Sequence, residues 1–497
     1  MLSAEEIKRL IEDDAASPKK RYAKIARRYY DGDHDIRRYR VFFVDKEGKV
    51  HEDTTKNNAR ICRKFFAELV NQKAQYMLSG EGPIVRSDDP ELQKELDAYF
   101  NNGKFRKQLH EMLVGCEIDG DAYAYAYKKK DGRTAFMYAD SGGVVEVRRS
   151  ETDDGCEYVI YWYVDRIGKD NKKIKRIQVW DEKQVAFFCQ VDDGQIIPDN
   201  SEAINPAPHY IYTKYGEDGK YGGDYGKIPF FRLGNNRKRM SSLRSVKDHI
   251  DDYDLMNSGL TNNIQDAAEV VVLVRGYDGD DLDELIFNMR NKKQISTPTA
   301  DDNVEFRTID IPVDARNKKM EIDVNNIFCD GNGVNIEALK DSNATVSVAI
   351  KTAYFRLDMR CDEIKINVEE FMEGPVQLVL DEINQAHETD YTIQDVYFDF
   401  TRKSITNVLE MAQVELTQAQ TRQAEIMTLL SVETKLDHET LMQQICDRFE
   451  IDYEEVKDKL PKPEENGDPY SPAAAGGLLA SITPEDDQTD AGGDVIE

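Results

Sequence analysis

The sequence predicts an α+β chain, mostly helical. Three observations carry this. Apolar residues recur at helical spacing over the first part of the chain and again beyond residue 240. Between residues 120 and 235 the pattern alternates instead and is broken by turn residues. The last part, "PKPEENGDPYSPAAAGGLLASITPEDDQTDAGGDVIE", is rich in Pro, Gly and acid and is expected to be disordered.

Residues 1–110 read as helices, with Ile7, Leu10 and Ile11 on one face and Ile61, Phe65, Phe66, Leu69 and Val70 on another. Between them "RVFFVDKEGKVHED" predicts a hairpin turning at Glu47 and Gly48. "DAYAYAYKKKDGRTAFMYAD", "CEYVIYWYVD", "KRIQVWD" and "QVAFFCQVDDGQ" predict a meander of antiparallel strands, with a Gly/Tyr-rich loop at 215–226.

A long helical pattern follows, "SSLRSVKDHIDDYDLMNSGLTNNIQDAAEV", with Leu243, Val246, Ile250, Tyr253, Leu260 and Ile264 on one face. Helical throughout, it would be roughly 45 Å long at 1.5 Å per residue. "VVVLVRGYDGDD" predicts a short strand and turn, "LDELIFNMR" a short helix, and "NVEFRTIDIPVD" another strand. A helix is expected at 314–329, and a third long one from 346 toward Ile383. Pro375 removes a donor and clashes with the preceding turn, so a kink or break is expected there. "IQDVYFDF" reads as a strand with Val396, Phe398 and Phe400 on one face, and helices fill 404–460.

The chain has 497 residues, 40% hydrophobic and 32% charged, with a net charge of -29. It can bury a sizeable core. A free, sequence-independent DNA binder is basic, because its affinity comes from neutralising phosphates. The charge argues against that role, though not against DNA passing close by, since acidic surfaces repel a polyanion. The 7 cysteines include no Cys-x-x-Cys pair, which points to a reducing compartment rather than a disulfide framework or zinc site. "MLSAEEIKRLIEDD" is amphipathic and acidic, unlike a signal peptide. No apolar run approaches the roughly 20 residues of a membrane span.

Most candidate motifs fail on spacing. "DGDHDI" places Asp31, Asp33 and Asp35 at calcium-loop spacing, but Ile36 and Phe42 stand where Gly and Glu are required. "GKYGGDYGKI" resembles a phosphate loop only in glycine content, because Ile228 follows Gly226 and Lys227. Gly331–Asn332–Gly333 would need a third glycine where Ile336 stands, and it follows a helix rather than a strand. His110–Glu111 and His438–Glu439 lack the second histidine of a zinc-protease helix. No catalytic residue, metal site or cofactor is nominated.

One ordered combination is more specific. "RRYYDGDHDI" follows an N-terminal helix, and "QYMLSGEGPI" ends the next helical region. "IPFFRLGNN" leads into the helix at 241, "IPVD" precedes a helix, a Gly/Asn loop and a long helix, and "VYFDFTRKSITN" closes the order. The succession resembles the portal proteins of tailed double-stranded DNA bacteriophages, of the siphophage type found in phages of Gram-positive hosts. It spans residues 20–450.

The resemblance implies a portal fold of wing, stem, clip and crown, closed into a ring of about twelve subunits at one capsid vertex. DNA would be packaged and ejected through the central channel, driven by a separate terminase motor. The portal itself would hydrolyse nothing. By order, 1–240 would be the wing, 241–275 and 314–329 the stem helices, and 276–313 the clip. Residues 330–345 would be a tunnel loop, 346–384 the long wing helix, 385–460 the crown, and 461–497 the tail.

The resemblance makes Asn332, Asn335, Glu337, Lys340, Asp341 and Asn343 candidates for lining the DNA channel. Arg290, Lys292 and Lys293 become candidates for docking the motor or the head–tail adaptor. Glycines and asparagines in the loop would supply bending freedom. Further partners implied are the major capsid and scaffolding proteins. The location implied is the virion, and the host cytoplasm during assembly. On the residues alone two other classes stay open: another phage head–tail or scaffold protein, and an acidic metal-dependent nuclease, which would need clustered carboxylates.

Overall fold

The computed structural model describes residues 2–54, 56–129, 131–148, 155–167, 172–213, 220–267, 271–274, 304–307, 312–337, 346–402 and isolated positions between 420 and 446. The chain divides into two units, Met1–Ile405 and Thr406–Glu497. The elements below belong to the first; the described positions of the second are helical.

Two helices open the chain, α1 (Ala4–Ala16) and α2 (Pro18–Asp31). Ser3 caps α1 in a reciprocal box with Glu6. Ser17 caps α2, Pro18 occupies its first turn, and Gly32 ends it in the left-handed region at φ 84°. The expected hairpin follows as β1 (Phe42–Val44) and β2 (Val50–Glu52), with Val44 opposite Val50. Then come α3 (Phe65–Met77), β3 (Val85–Arg86), α4 (Pro90–Tyr99) and α5 (Gly103–Asp119).

The β-rich middle comprises β4 (Asp121–Lys128), β5 (Thr134–Ala139), β6 (Val144–Val147), β7 (Tyr158–Ile167), β8 (Lys172–Trp180) and β9 (Gln184–Val191). It continues with β10 (Ile197–Pro198), β11 (Ala207–Pro208), β12 (Tyr210–Thr213), β13 (Lys220–Gly223) and β14 (Phe230–Gly234). These strands do not form one meander. One sheet runs β10-β9-β8-β7-β6 with β11 also on β9; another runs β14-β4-β5; β12 and β13 pair alone. The alternation of β4 explains the division. Ala122, Ala124 and Ala126 are buried toward the helices, where small side chains permit close approach. Tyr123 and Tyr125 face the other way, into a cluster with Val159, Trp180 and Val185 of the larger sheet. That sheet's opposite face is covered by Ile7 and Ile11 of α1, against Ile160 and Ile177.

Beyond β14 a single 3-10 turn, Ser242–Ser245, precedes α6 (Lys247–Ala267). The expected helix from 241 therefore starts late. Ser241 caps the short turn through the Leu243 N–H, and Val246 leaves helical geometry. The strands β15 (Val271–Val274) and β16 (Val304–Arg307) pair antiparallel, with Val271 opposite Arg307. They lead to α7 (Val313–Asp330) and α8 (Val346–His387).

At 42 residues α8 is about 63 Å long. It is not broken at Pro375, which lies inside it. Val368, Phe371 and Met372 before the proline and Val376, Val379 and Leu380 after it are buried in one core. Burying each such side chain contributes roughly 1.5–3 kcal/mol, which outweighs the roughly 3 kcal/mol that an interior proline costs. The last described strand, β17 (Tyr397–Phe398), pairs with β3. It is shorter than expected, but Val396 and Phe400 are buried on the face predicted for them. No described helix is long and apolar enough to cross a membrane.

Candidate functional site

The stretch 330–337 sits where α3, α6, α7 and the approach to α8 meet. Helices α6 and α7 pack antiparallel. His249 near the start of α6 lies 3.3 Å from Asp330 at the end of α7. Further along, Lys319 of α7 bonds Asp252 of α6 and Asp323 of its own helix. The base of this pair is apolar. Val246, Ile250, Ile327 and Phe328 share a cluster with Phe65, Phe66 and Leu69 of α3, and Phe65 meets Tyr253 edge-on at 4.9 Å.

Helix α6 is also fastened to the chain segment before α3. Asn262 Oδ1 accepts the Ala59 N–H at 2.7 Å, Ser258 Oγ the Ile61 N–H at 3.0 Å, and Asp254 Oδ1 the Arg63 N–H at 3.2 Å. The match is metric. Four residues of helix rise about 6 Å and two residues of extended chain advance about 6.6 Å, so alternate N–H groups meet every fourth side chain. Each bond contributes about 1 kcal/mol, and leaving one unmade costs more.

Asp254 has a second, buried partner. Its Oδ2 lies 2.6 Å from His34 Nδ1, and neither side chain is exposed. His34 Nε2 is 3.1 Å from the Tyr29 carbonyl, which can only accept, so Nε2 carries a proton. Burial pushes the Asp254 carboxyl above its ordinary value, and His34 opposes that shift.

The glycines in the Gly/Asn stretch have a packing role rather than the bending freedom expected of them. The Gly331 N–H donates to Ile327 O at 2.9 Å and the Gly333 N–H to Phe328 O at 2.9 Å, closing the end of α7. A Cβ on Gly331 would come within 2.5 Å of the Leu69 side chain, and one on Gly333 within 2.3 Å. Val334 is buried, its N–H donating to Gln72 Oε1 at 2.8 Å and its carbonyl accepting from Gln72 Nε2 at 3.1 Å. Residues 331–334 are thus docked on α3.

Of the candidate channel residues, Asn332 takes the left-handed conformation at φ 52°. Asn335 Oδ1 accepts the Glu337 N–H at 3.2 Å. Glu337 is exposed and lies 3.7 Å from Arg63, whose guanidinium sits over the Phe65 ring. These three share one surface. Lys340, Asp341 and Asn343, and likewise Arg290, Lys292 and Lys293, lie outside the described residues.

Sequence reasoning missed a charged cluster under α8. Glu117 of α5 bonds Lys73 of α3 at 2.7 Å and Arg360 of α8 at 2.9 Å, all three largely buried. Burial alone would raise the Glu117 pKa, but the charges of Lys73 and Arg360 more than reverse this and hold it at about 2. Arg360 also bonds Asn235, just after β14. No spacing in the sequence signals this cluster, because its members come from three distant helices. The α6 fastening did leave a signal: Asp254, Ser258 and Asn262 recur every four residues.

The rejected calcium motif has a positive account. Asp33 pairs with Arg38 at 2.6 Å, and Asp35 with Arg28 at 2.7 Å and Lys247 at 2.9 Å. Among the described residues no group of three or more His, Cys, Asp or Glu side chains is arranged to hold a metal ion.

A helix pair bracketing a small insert, followed by a Gly/Asn turn and a long helix, is what the resemblance implied. The sequence profile of the family described as "Phage portal protein, SPP1 Gp6-like" matches residues 9–448. The chain belongs to this family of phage portal proteins, structural components of the virion. It is 22% identical over 387 residues to the portal protein of Bacillus phage SPP1, covering 78% of this chain and 75% of that one. It is 23% identical over 434 residues to the portal protein of Clostridium phage phiCD119, covering 83% and 89%. Among solved structures it is similar to a chain of "Neck of empty GTA particle computed with C6 symmetry", with TM-score 0.39, 11% identity and coverage of 77% and 90%. It is similar also to a chain of "Virion of native gene transfer agent (GTA) particle", with TM-score 0.36, 12% identity and coverage of 72% and 85%.

Proposed function

We propose that copies of this chain close into a ring of about twelve subunits at one capsid vertex and that double-stranded DNA passes through its centre during packaging and ejection. Family membership over residues 9–448 carries this reading. The antiparallel pair α6 and α7 supports it: the base is sunk in an apolar cluster, while the other ends lead into the β15–β16 segment. In this reading α6 and α7 form the stem, residues 276–313 the clip, 330–345 the tunnel loop, 346–384 the long wing helix and 385–460 the crown. The net charge of -29 suits a conduit, because a wall that gripped phosphates would stall the DNA.

Asn332, Asn335 and Glu337, with Lys340, Asp341 and Asn343, would face the DNA. Arg290, Lys292 and Lys293 would meet the terminase motor or the head–tail adaptor. The major capsid and scaffolding proteins would surround the wing. Electron microscopy of the purified full-length chain tests the reading. Rings with a central hole are expected; a persistent monomer overturns it. Charge reversal at Arg290, Lys292 and Lys293 is expected to leave rings intact and to lower motor or adaptor binding. Unchanged binding removes that assignment.

A further inference from the structure

The β1–β2 hairpin has an amphipathic pattern with nothing on its apolar face. Cross-strand pairing places Phe42, Val44 and Val50 on one side, with Phe43 and His51 on the other. The second side satisfies itself: Phe43 stacks on His51 at 5.6 Å, and His51 bonds Asp45 at 2.7 Å. Phe42, Val44 and Val50 are 59%, 64% and 66% exposed. A two-stranded ribbon of three pairs with a bare apolar face is marginal alone in water. Alternation of this kind marks a face that another surface covers.

A second bare apolar surface lies on α8. Phe355, Met359 and Ile366 are 62%, 59% and 64% exposed. At about 100° per residue they fall within roughly 40° of one another around the helix, forming one stripe. Other stretches of the same helix are deeply buried, so the stripe is one side of an otherwise packed element.

We propose that the apolar face of the hairpin docks on this α8 stripe in a second copy of the chain. The inference rests on the ring reading above and names a contact within it. A head-to-tail ring needs two unlike surfaces on each subunit that fit one another, whereas a two-fold dimer needs one surface that fits itself. The chain carries two unlike apolar surfaces of matching scale. Phe42 and Val44 are about 6.8 Å apart along their strand, and Phe355 and Met359 about 6 Å apart along theirs, so the side chains can interleave. The hairpin is also well placed to reach outward, because residues 59–63 between it and α3 are fastened along α6.

Single-cysteine variants of the full-length chain test this. Val44→Cys and Met359→Cys chains, carrying different affinity tags, are mixed, assembled and oxidised. A disulfide joining position 44 of one chain to position 359 of the other is expected, identified by peptide mass spectrometry and present only in the mixture. A disulfide between two copies of position 44 means that hairpin meets hairpin, and overturns the inference. Rings lacking the mixed cross-link also overturn it while leaving the ring reading intact. Absence of rings in the unmodified chain overturns both.

As an independent measurement, the Phe42→Asp, Val44→Asp double variant is expected to lower the ring fraction at least tenfold with an unchanged melting temperature, since both side chains are exposed in the single chain. Rings at full yield in that variant overturn the proposal.

Discussion

Asp254 and His34 form a fully buried pair, 2.6 Å apart, at the point where α2, α6 and the segment leading into α3 converge. The other carboxylate oxygen of Asp254 accepts the Arg63 N–H. One side chain therefore fixes the end of α2, the face of α6 and the chain entering α3. Removing it leaves a buried imidazole and a backbone N–H without their partner. Asp254→Ala is expected to lower stability by roughly 3–5 kcal/mol, measured by urea unfolding of the full chain. A loss under about 1 kcal/mol would mean that water replaces the carboxylate in this pocket.

The Ser258 and Asn262 fastenings predict a local effect. Ser258→Ala with Asn262→Ala removes the acceptors for the Ile61 and Ala59 N–H groups. Amide exchange in a peptide spanning 56–63 is expected to accelerate roughly tenfold or more, corresponding to a loss of about 1–2 kcal/mol in local stability. Unchanged exchange there would refute the role of these side chains.

Glu117 predicts a pH dependence. Its carboxyl is held at about 2 against an ordinary 4.5, so its contribution to stability is present above 4.5 and is lost as pH falls toward 2. The melting temperature of the chain should fall over that window. Glu117→Gln is expected to be less stable at neutral pH, and the gap to the unmodified chain should narrow as pH drops from 4.5 toward 2. A gap independent of pH would place the stabilisation elsewhere than in the charge of Glu117.

Gly331 and Gly333 predict a steric effect. An alanine at either position brings a methyl group against Leu69, and at Gly331 also within 2.6 Å of the Ile327 carbonyl. Gly331→Ala is expected to cost about 1–3 kcal/mol, read from the urea midpoint. If these glycines served only to bend a free loop, the substitution would be neutral or mildly stabilising.

The segment after Glu337 predicts a functional effect under the conduit reading. Replacing Lys340, Asp341 and Asn343 by serine is expected to leave rings unchanged in electron microscopy and to reduce the DNA retained per particle. Failure of the rings to form would give this segment a structural role instead.

What the sequence disclosed and what it hid divides along physical lines. Periodicity located α1, α3, α7 and α8, because each buries one apolar stripe and their Ile, Leu, Val and Phe residues repeat accordingly. It located the β1–β2 hairpin through Gly48, which adopts φ 82°. It did not sort the strands into sheets, since β14 pairs with β4 across more than a hundred residues and no local pattern encodes such a partner. It also misjudged Pro375. The local cost of a helical proline is readable, but the burial that overrides it depends on residues brought in from β14, α3 and α5. The Gly331–Asn332–Gly333 run was correctly refused as a nucleotide cradle, yet its role against Leu69 is a tertiary fact. The charges of Lys73, Glu117 and Arg360 were invisible among so many others.

Helix α8 can also be regarded as a stiff rod with a latch. Arg360 lies fourteen residues beyond Val346, about 21 Å along the axis, and grips Glu117 and Asn235. A tug on the chain just ahead of Val346 would be conveyed along the rod to that latch before the apolar core felt it. The load would then divide between α5 and the end of β14. The buried ion cluster would act as a mechanical stop, limiting how far passing cargo can drag the rod from its seat.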